Sequence, residues 1–181
     1  MLSPPATGKP TPRVISTMSE EMCKTGVFEG NTGASAVWPG AGNAYYYPIF
    51  VPDARTFTKA WWLNGATAAG NVDVGIFTIA GTTATLVAAS TAVAQAGISA
   101  IQVATTFGPV TLTPGLYYLA MSMSLATGTR WGSAPSFRLT RIAGCYQRVS
   151  AHPLSTAGAG AVAQIGSSVL PVFGFSEGSD I

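Results

Sequence analysis

The amino-acid sequence predicts an all-β protein: an antiparallel β-sandwich, jelly-roll-like, with an extended N-terminal arm. Three observations carry this. In "LTPGLYYLAMSMSL" (112–125), Tyr117, Leu119, Met121, Met123 and Leu125 alternate with Leu116, Tyr118, Ala120, Ser122 and Ser124. That is the two-residue period of a strand with one greasy face and one small or polar face. The chain also holds 21 Gly and 12 Pro but only 9% charged residues, against about 25% in an average soluble protein. Finally, the apolar runs are short and bounded by turn signals, with no crossover helices of the kind a parallel sheet needs.

In chain order, residues 1–43 are expected to be arm and linker, and 44–181 the sandwich. Pro4, Pro5, Pro10 and Pro12 keep the first residues extended. In "STMSEEMCKTG", Ser19 suits a cap, Glu20 and Glu21 a first turn and Gly26 a stop, so a helix of at most two turns is expected there. Trp38 in "VWPG" is placed to pin the linker. Strands follow at 44–51, with Pro48 at an edge or bulge, at 55–64, and at 71–80, where Val72, Val74 and Ile76 alternate with Asp73, Gly75 and Phe77. Ala80-Gly81-Thr82 reads as a hairpin turn into 83–90. Further strands are expected over 99–107 and 110–112. Pro114-Gly115 then suits a type II turn opening the strand from Leu116. The pattern ends with strands at 136–144 and 144–149, a small-residue loop over 155–168, and a closing strand at 169–175. This amounts to about eight or nine short strands, as in sandwiches and jelly rolls.

The low charge bears on partners. A small domain that lives alone usually carries about 25–35% charged surface, so sister copies or a larger particle are expected to cover much of this one. The net charge of +2 gives no basic footprint for nucleic acid. No run reaches membrane-spanning length, and "MLSPPATGKPTPR" has no apolar signal core. No acidic residue lies between Asp73 and Glu177, an interval that contains Arg130, Arg138, Arg141 and Arg148. These are solvated arginines, a docking patch for acidic groups on a neighbour or, as the least favoured reading, a contact to nucleic acid. Cys23 and Cys145 lack metal-ligand spacing and read as two buried thiols or a single disulfide.

Chemistry is sparse. Asp53 and Asp73 are the only carboxylates of the central domain; Asp53 reads as a turn former and Asp73 as a solvated strand residue. The one histidine, His152, has no G-x-S-x-G elbow to serve. Neither "GAGNAY" nor "GAGAVAQIG" matches a dinucleotide or phosphate loop. No catalytic residue, cofactor or metal site is therefore expected, and the protein is read as a non-enzyme.

Aromatic residues are more informative. Of Trp61 and Trp62, neighbours on a strand, one should enter the core and the other face outward. The outward ring would lie under the arm, in a subunit interface, or against a sugar. Trp131, after Arg130 in "GTRWGS", carries the same alternatives. Trp61, Trp62, Trp131, Arg130, Arg138 and Arg141 are thus the candidate interface or glycan-contact residues, since aromatics with arginine mark binding hot spots.

The run "GNVDVGIFTIAGTTATLVAAS" (70–90), followed by "VTLTPGLYYLAMSMS" (110–124) and "LPVFGF" (170–175), resembles a β-sandwich module of tailed-bacteriophage structural proteins, found in tail fibres, head fibres and capsid decorations. The resemblance spans roughly 48–175 and leaves residues 1–43 outside it. It transfers no catalytic residue. It implies a virion component made in a host cytoplasm, repeated and often trimeric, partnered by its own copies and other virion proteins. A host-glycan-binding module on exposed aromatics is the alternative.

Overall fold

The computed structural model describes residues 16–18, 22–25, 34–126, 129–133, 144–165 and 170–178. The strands, in chain order, begin with β1 (Ser16–Met18), β2 (Met22–Thr25), β3 (Ala34–Val37), β4 (Ala44–Val51), β5 (Arg55–Phe57) and β6 (Lys59–Leu63). They continue with β7 (Asn71–Ala80), β8 (Thr83–Ala89), β9 (Val93–Ala94), β10 (Ile101–Ala104), β11 (Val110–Leu112) and β12 (Gly115–Met123). Last come β13 (Thr129–Ser133), β14 (Tyr146–Arg148), the one-turn helix α1 (Leu154–Ala157), β15 (Gly160–Ala161), β16 (Ala163–Gln164), β17 (Leu170–Pro171) and β18 (Phe173–Ser176). Every pairing is antiparallel. The all-β antiparallel class expected from the sequence is the class of the fold.

The large sheet runs β15-β8-β7-β12-β4-β14-β16, with β9 added on β7. A second sheet runs β1-β2-β18-β6-β10, and two smaller ones are β11-β5 and β17-β13-β3. The main core fills the space between the two largest sheets. Tyr45, Tyr47, Ile49 and Val51 of β4, Val72, Val74 and Ile76 of β7, and Leu119, Met121 and Met123 of β12 meet Phe57, Ala60, Trp62, Phe173 and Phe175 from the opposite side. Tyr47 and Phe57 each meet a phenylalanine of β18 edge to face, at centroid distances of 6.0 Å (Phe173) and 6.5 Å (Phe175), a geometry that favours aromatic pairs beyond their buried area.

β12 departs from its expected one-sided burial. Tyr118, Ala120 and Ser122 are buried, as Leu119, Met121 and Met123 are. The extra cover comes from residues 151–165, most of which fall in the stretch 155–168 expected from sequence to be a small-residue loop. It lays Ala151, Leu154 and Val162 against Tyr46, Phe77, Ala84, Tyr118 and Ala120 as a second apolar cluster. It also pairs with both edges of the large sheet: β15 lies on β8, and β16 lies on β14. Only Val162 separates these two strands, so the sheet curls until its edges nearly meet and this strap closes the gap. Closure of this kind removes edges that would otherwise invite stray pairing.

The β7–β8 hairpin carries two local devices. Gly81 stands at φ 61° in its two-residue loop, a conformation glycine adopts without a Cβ penalty. Pairing then shifts from Phe77–Leu86 to Ile76–Ala88, so Val87 is an extra residue, 40% exposed. This bulge reverses the alternation. It sends Leu86 to the strap side and Ala88 to the main core.

Several expectations change. Met22–Thr25 is a strand between β1 and β18 rather than part of a short helix. A helix of under two turns is marginal alone, whereas a sheet satisfies the backbone on both sides. β1, β2 and β3 pair into the sheets, so residues before 44 are partly integral to the fold. The strand expected over 55–64 breaks at Thr58: β5 pairs with β11 and β6 with β18 and β10. Gly115 lacks the positive φ of a type II turn and already pairs with Val51. Trp38 does pin its segment: it is 1% exposed, donates to the Asn43 carbonyl at 3.0 Å and meets Tyr45 edge to face. The strand expected over 136–144 lies outside the described residues except for Gly144.

Cys145 is a free, fully buried thiol in the main core, and burial pushes it up to about 12. The thiolate is the reactive form. Iodoacetamide at pH 8 should therefore leave Cys145 unmodified in the folded protein and alkylate it in urea, as read by peptide mass spectrometry.

Candidate functional site

One cluster of polar groups lies under the strap. Arg148 pairs with Ala44, Ala44 with Ser122, and Ser122 with Asp73. These four residues form one row across β14, β4, β12 and β7, and directly paired residues share a face of the sheet. The three polar members each hold the strap. The Arg148 guanidinium donates through Nη1 to the Gly158 carbonyl and through Nη2 to the Ala157 carbonyl, both at 3.0 Å. Ser122 Oγ lies 2.9 Å from His152 Nδ1. Asp73 Oδ2 accepts from the Ser155 amide at 3.3 Å, and its Oδ1 accepts from the Ser90 hydroxyl at 2.8 Å. Alanine at position 44 leaves room for this.

The sequence explains why the sheet supplies these partners. α1 follows Pro153, which has no side-chain acceptor to cap it. The amides at its start and the carbonyls at its end need partners from elsewhere. Asp73 accepts from the Ser155 amide at the start, and Arg148 donates to the carbonyls at the end. The Arg148 guanidinium also lies against Gly160, where any Cβ would overlap it.

Electrostatically the row is unusual. Asp73, expected to be solvated, is 0% exposed. Burial pushes its carboxyl up to about 6, while the Ser90 hydroxyl and nearby backbone amides only partly oppose this. Burial pushes His152 below its ordinary value. It raises the Tyr46 phenol too, against the pull of the neighbouring Arg148. The serine, histidine and aspartate do not make a hydrolase relay. Histidine faces Ser122 through Nδ1, the carboxylate is engaged by Ser90 and the strap backbone, and Ser122 Oγ sits on a fully buried residue. A nucleophile needs an approach for substrate as well as a base. What the arrangement performs is fastening.

The residues singled out from the sequence fall elsewhere. Trp62 is 0% exposed in the main core, donating to Asn64 Oδ1 at 2.8 Å. Trp61 faces the other side of β6, as alternation requires, but is only 4% exposed. Neither presents a ring to a sugar or a neighbour. Arg130 and Trp131 lie on β13, opposite Ala36 and Ser35 of β3. Arg138 and Arg141 lie outside the described residues. No group of three or more His, Cys, Asp or Glu comes together among the described residues, and no described helix is long and apolar enough to cross a membrane.

A second feature is apolar. Phe50 and Leu116 are direct cross-strand partners on β4 and β12, and they are 59% and 55% exposed. They share a face with Tyr46, Tyr118 and Ala120 but lie past the end of the strap's cover. A residue-level signal existed for the polar row: one aspartate inside an apolar strand, and the only histidine in a low-charge chain. For Phe50 and Leu116 there was none, because alternation assigns them to a face without saying where its cover stops.

No family model, no curated protein and no solved structure matches this chain.

Proposed function

We propose that this protein is a structural subunit of a bacteriophage virion, a tail or head appendage or decoration that works by assembling with copies of itself, a trimer being the expected order. The observation that carries the assembly reading is the exposed Phe50–Leu116 pair on the open end of an otherwise covered sheet face. Isolated exposed apolar residues are ordinary, whereas adjacent ones on a rigid sheet mark contact surfaces. The 9% charge supports sister copies as the partner, since little electrostatic repulsion opposes their approach. The virion assignment draws on the residue resemblance of 70–90, 110–124 and 170–175.

Light scattering coupled to size exclusion tests the assembly. The wild type should elute at a multiple of the 18.5 kDa chain mass. Phe50→Glu should shift it to monomer with an unchanged circular-dichroism spectrum, because the side chain is mostly outside the core. A wild type that stays monomeric at high micromolar concentration sinks the assembly reading. The virion assignment is tested separately: the chain should be found by mass spectrometry in purified phage particles from a host carrying its gene.

A further inference from the structure

The strap crosses the sheet on Asp73, fully buried, and His152, half-buried, and no ion pair holds either among the described residues. Asp73 is packed by β8, β12 and α1. From β8 it meets the Ser90 hydroxyl that follows the strand, from β12 Ser122, and from α1 the Ser155 amide. β8 and α1 bring no titratable side chain. The remaining titratable groups on this face are His152 of the strap, Tyr118 of β12, Tyr46 of β4, and Tyr146 and Arg148 of β14. The one guanidinium among these is committed to the Ala157 and Gly158 carbonyls. A buried carboxylate is costly, and a half-buried imidazolium is costly to a lesser degree.

We propose that residues 151–165 are a latch that closes most firmly when Asp73 and His152 are each uncharged, so that charging either group loosens the strap and bares the β8 and β14 edges with the apolar face between them. This inference rests on the polar row and the strap, and stands apart from the assembly reading. When the strap lifts, Asp73 and His152 return to ordinary values of 3.8 and 6.5. Closing makes the aspartate take up a proton and the histidine give one up. The two linkages have opposite signs. The carboxyl's contribution to closure is full below its ordinary value and is lost as pH rises through about 6. The imidazole's contribution is full above 6.5 and is lost as pH falls. In the wild type the two act in opposite directions between those limits. Either single substitution unbalances the pair.

The test is hydrogen exchange of peptides covering 151–165, as protection factors corrected for intrinsic rates, from pH 4 to pH 8. His152→Gln leaves the aspartate alone, and strap opening should increase roughly fifty-fold from pH 4 to pH 8, following the displacement of its carboxyl. Asp73→Asn leaves the histidine alone, and opening should increase as pH falls below 6.5. Peptides from β7 and β12 serve as the reference for global unfolding. The proposal is overturned if strap opening in His152→Gln does not rise with pH, or if the strap exchanges only together with the reference peptides. The His152→Gln result decides the matter even if Asp73→Asn does not fold. The sole histidine adds a direct check: its imidazole NMR signals should titrate below 6.5 in the wild type.

Discussion

Trp62→Ala should unfold this protein or bring it to the edge of unfolding at 25 °C. The indole is fully buried where β6 lies between Phe173 of β18 and Gln102 of β10. Truncating a large core aromatic costs about 3–5 kcal/mol through lost transfer energy and the cavity left behind. The substitution also removes the donor to Asn64 Oδ1 at 2.8 Å. Asn64 is fully buried, and its amide nitrogen in turn donates to the Ala96 carbonyl and to Gln102 Oε1. Leaving its oxygen without a donor adds about 1–3 kcal/mol. The sum rivals the whole stability of a typical domain, about 5–15 kcal/mol. The urea midpoint, followed by circular dichroism, measures the loss. Trp61 is the internal control, because its buried indole N–H has no hydrogen-bond partner. Trp61→Phe removes an unsatisfied donor, whereas Trp62→Phe creates an unsatisfied acceptor, so Trp62→Phe should be the more destabilising. Equal midpoints would refute the role assigned to Asn64.

These two tryptophans also show where the sequence was legible. Period two told which neighbours face apart, and Trp61 and Trp62 do so. It could not tell that both faces would be covered, since burial of the outward face depends on what packs there, not on the strand's own residues. The same limit explains Asp73. Its strand alternates as read, but the residue was assigned to solvent because a lone carboxylate usually stays there. The cover that buries it is supplied about eighty residues later by a segment so rich in Ala and Gly that it carries no periodic signal. Small residues there have a physical reason: the strap must fit between two sheet edges and over a guanidinium. The bulge at Val87 was hidden likewise, because a one-residue slip leaves composition untouched and changes only which face Leu86 and Ala88 meet. Long-range covering contacts, in short, are written in residues that look featureless locally.

Gly160 and Arg148 put that argument to a quantitative test. A Cβ at Gly160 would overlap the Arg148 guanidinium, whose Nη1 lies 2.7 Å from that position. Because the obstacle is the far end of a side chain, Gly160→Val should fold, but with the guanidinium pushed off the Ala157 and Gly158 carbonyls. Each lost bond has a charged donor, of the class worth about 1.5–3 kcal/mol. Both carbonyls belong to half-buried residues and regain some water, so a net cost of about 2 kcal/mol is expected. Arg148→Ala should cost about the same for the same reason. The double variant should then be little worse than either single one, a coupling of about 1–2 kcal/mol in a double-mutant cycle. Arg148→Lys should not restore stability, because an ammonium lacks the planar fork that meets two carbonyls at once. Strictly additive losses would mean that the arginine does not hold the strap, and that the end of α1 is secured by the Val162 contact and the β15 and β16 pairings alone.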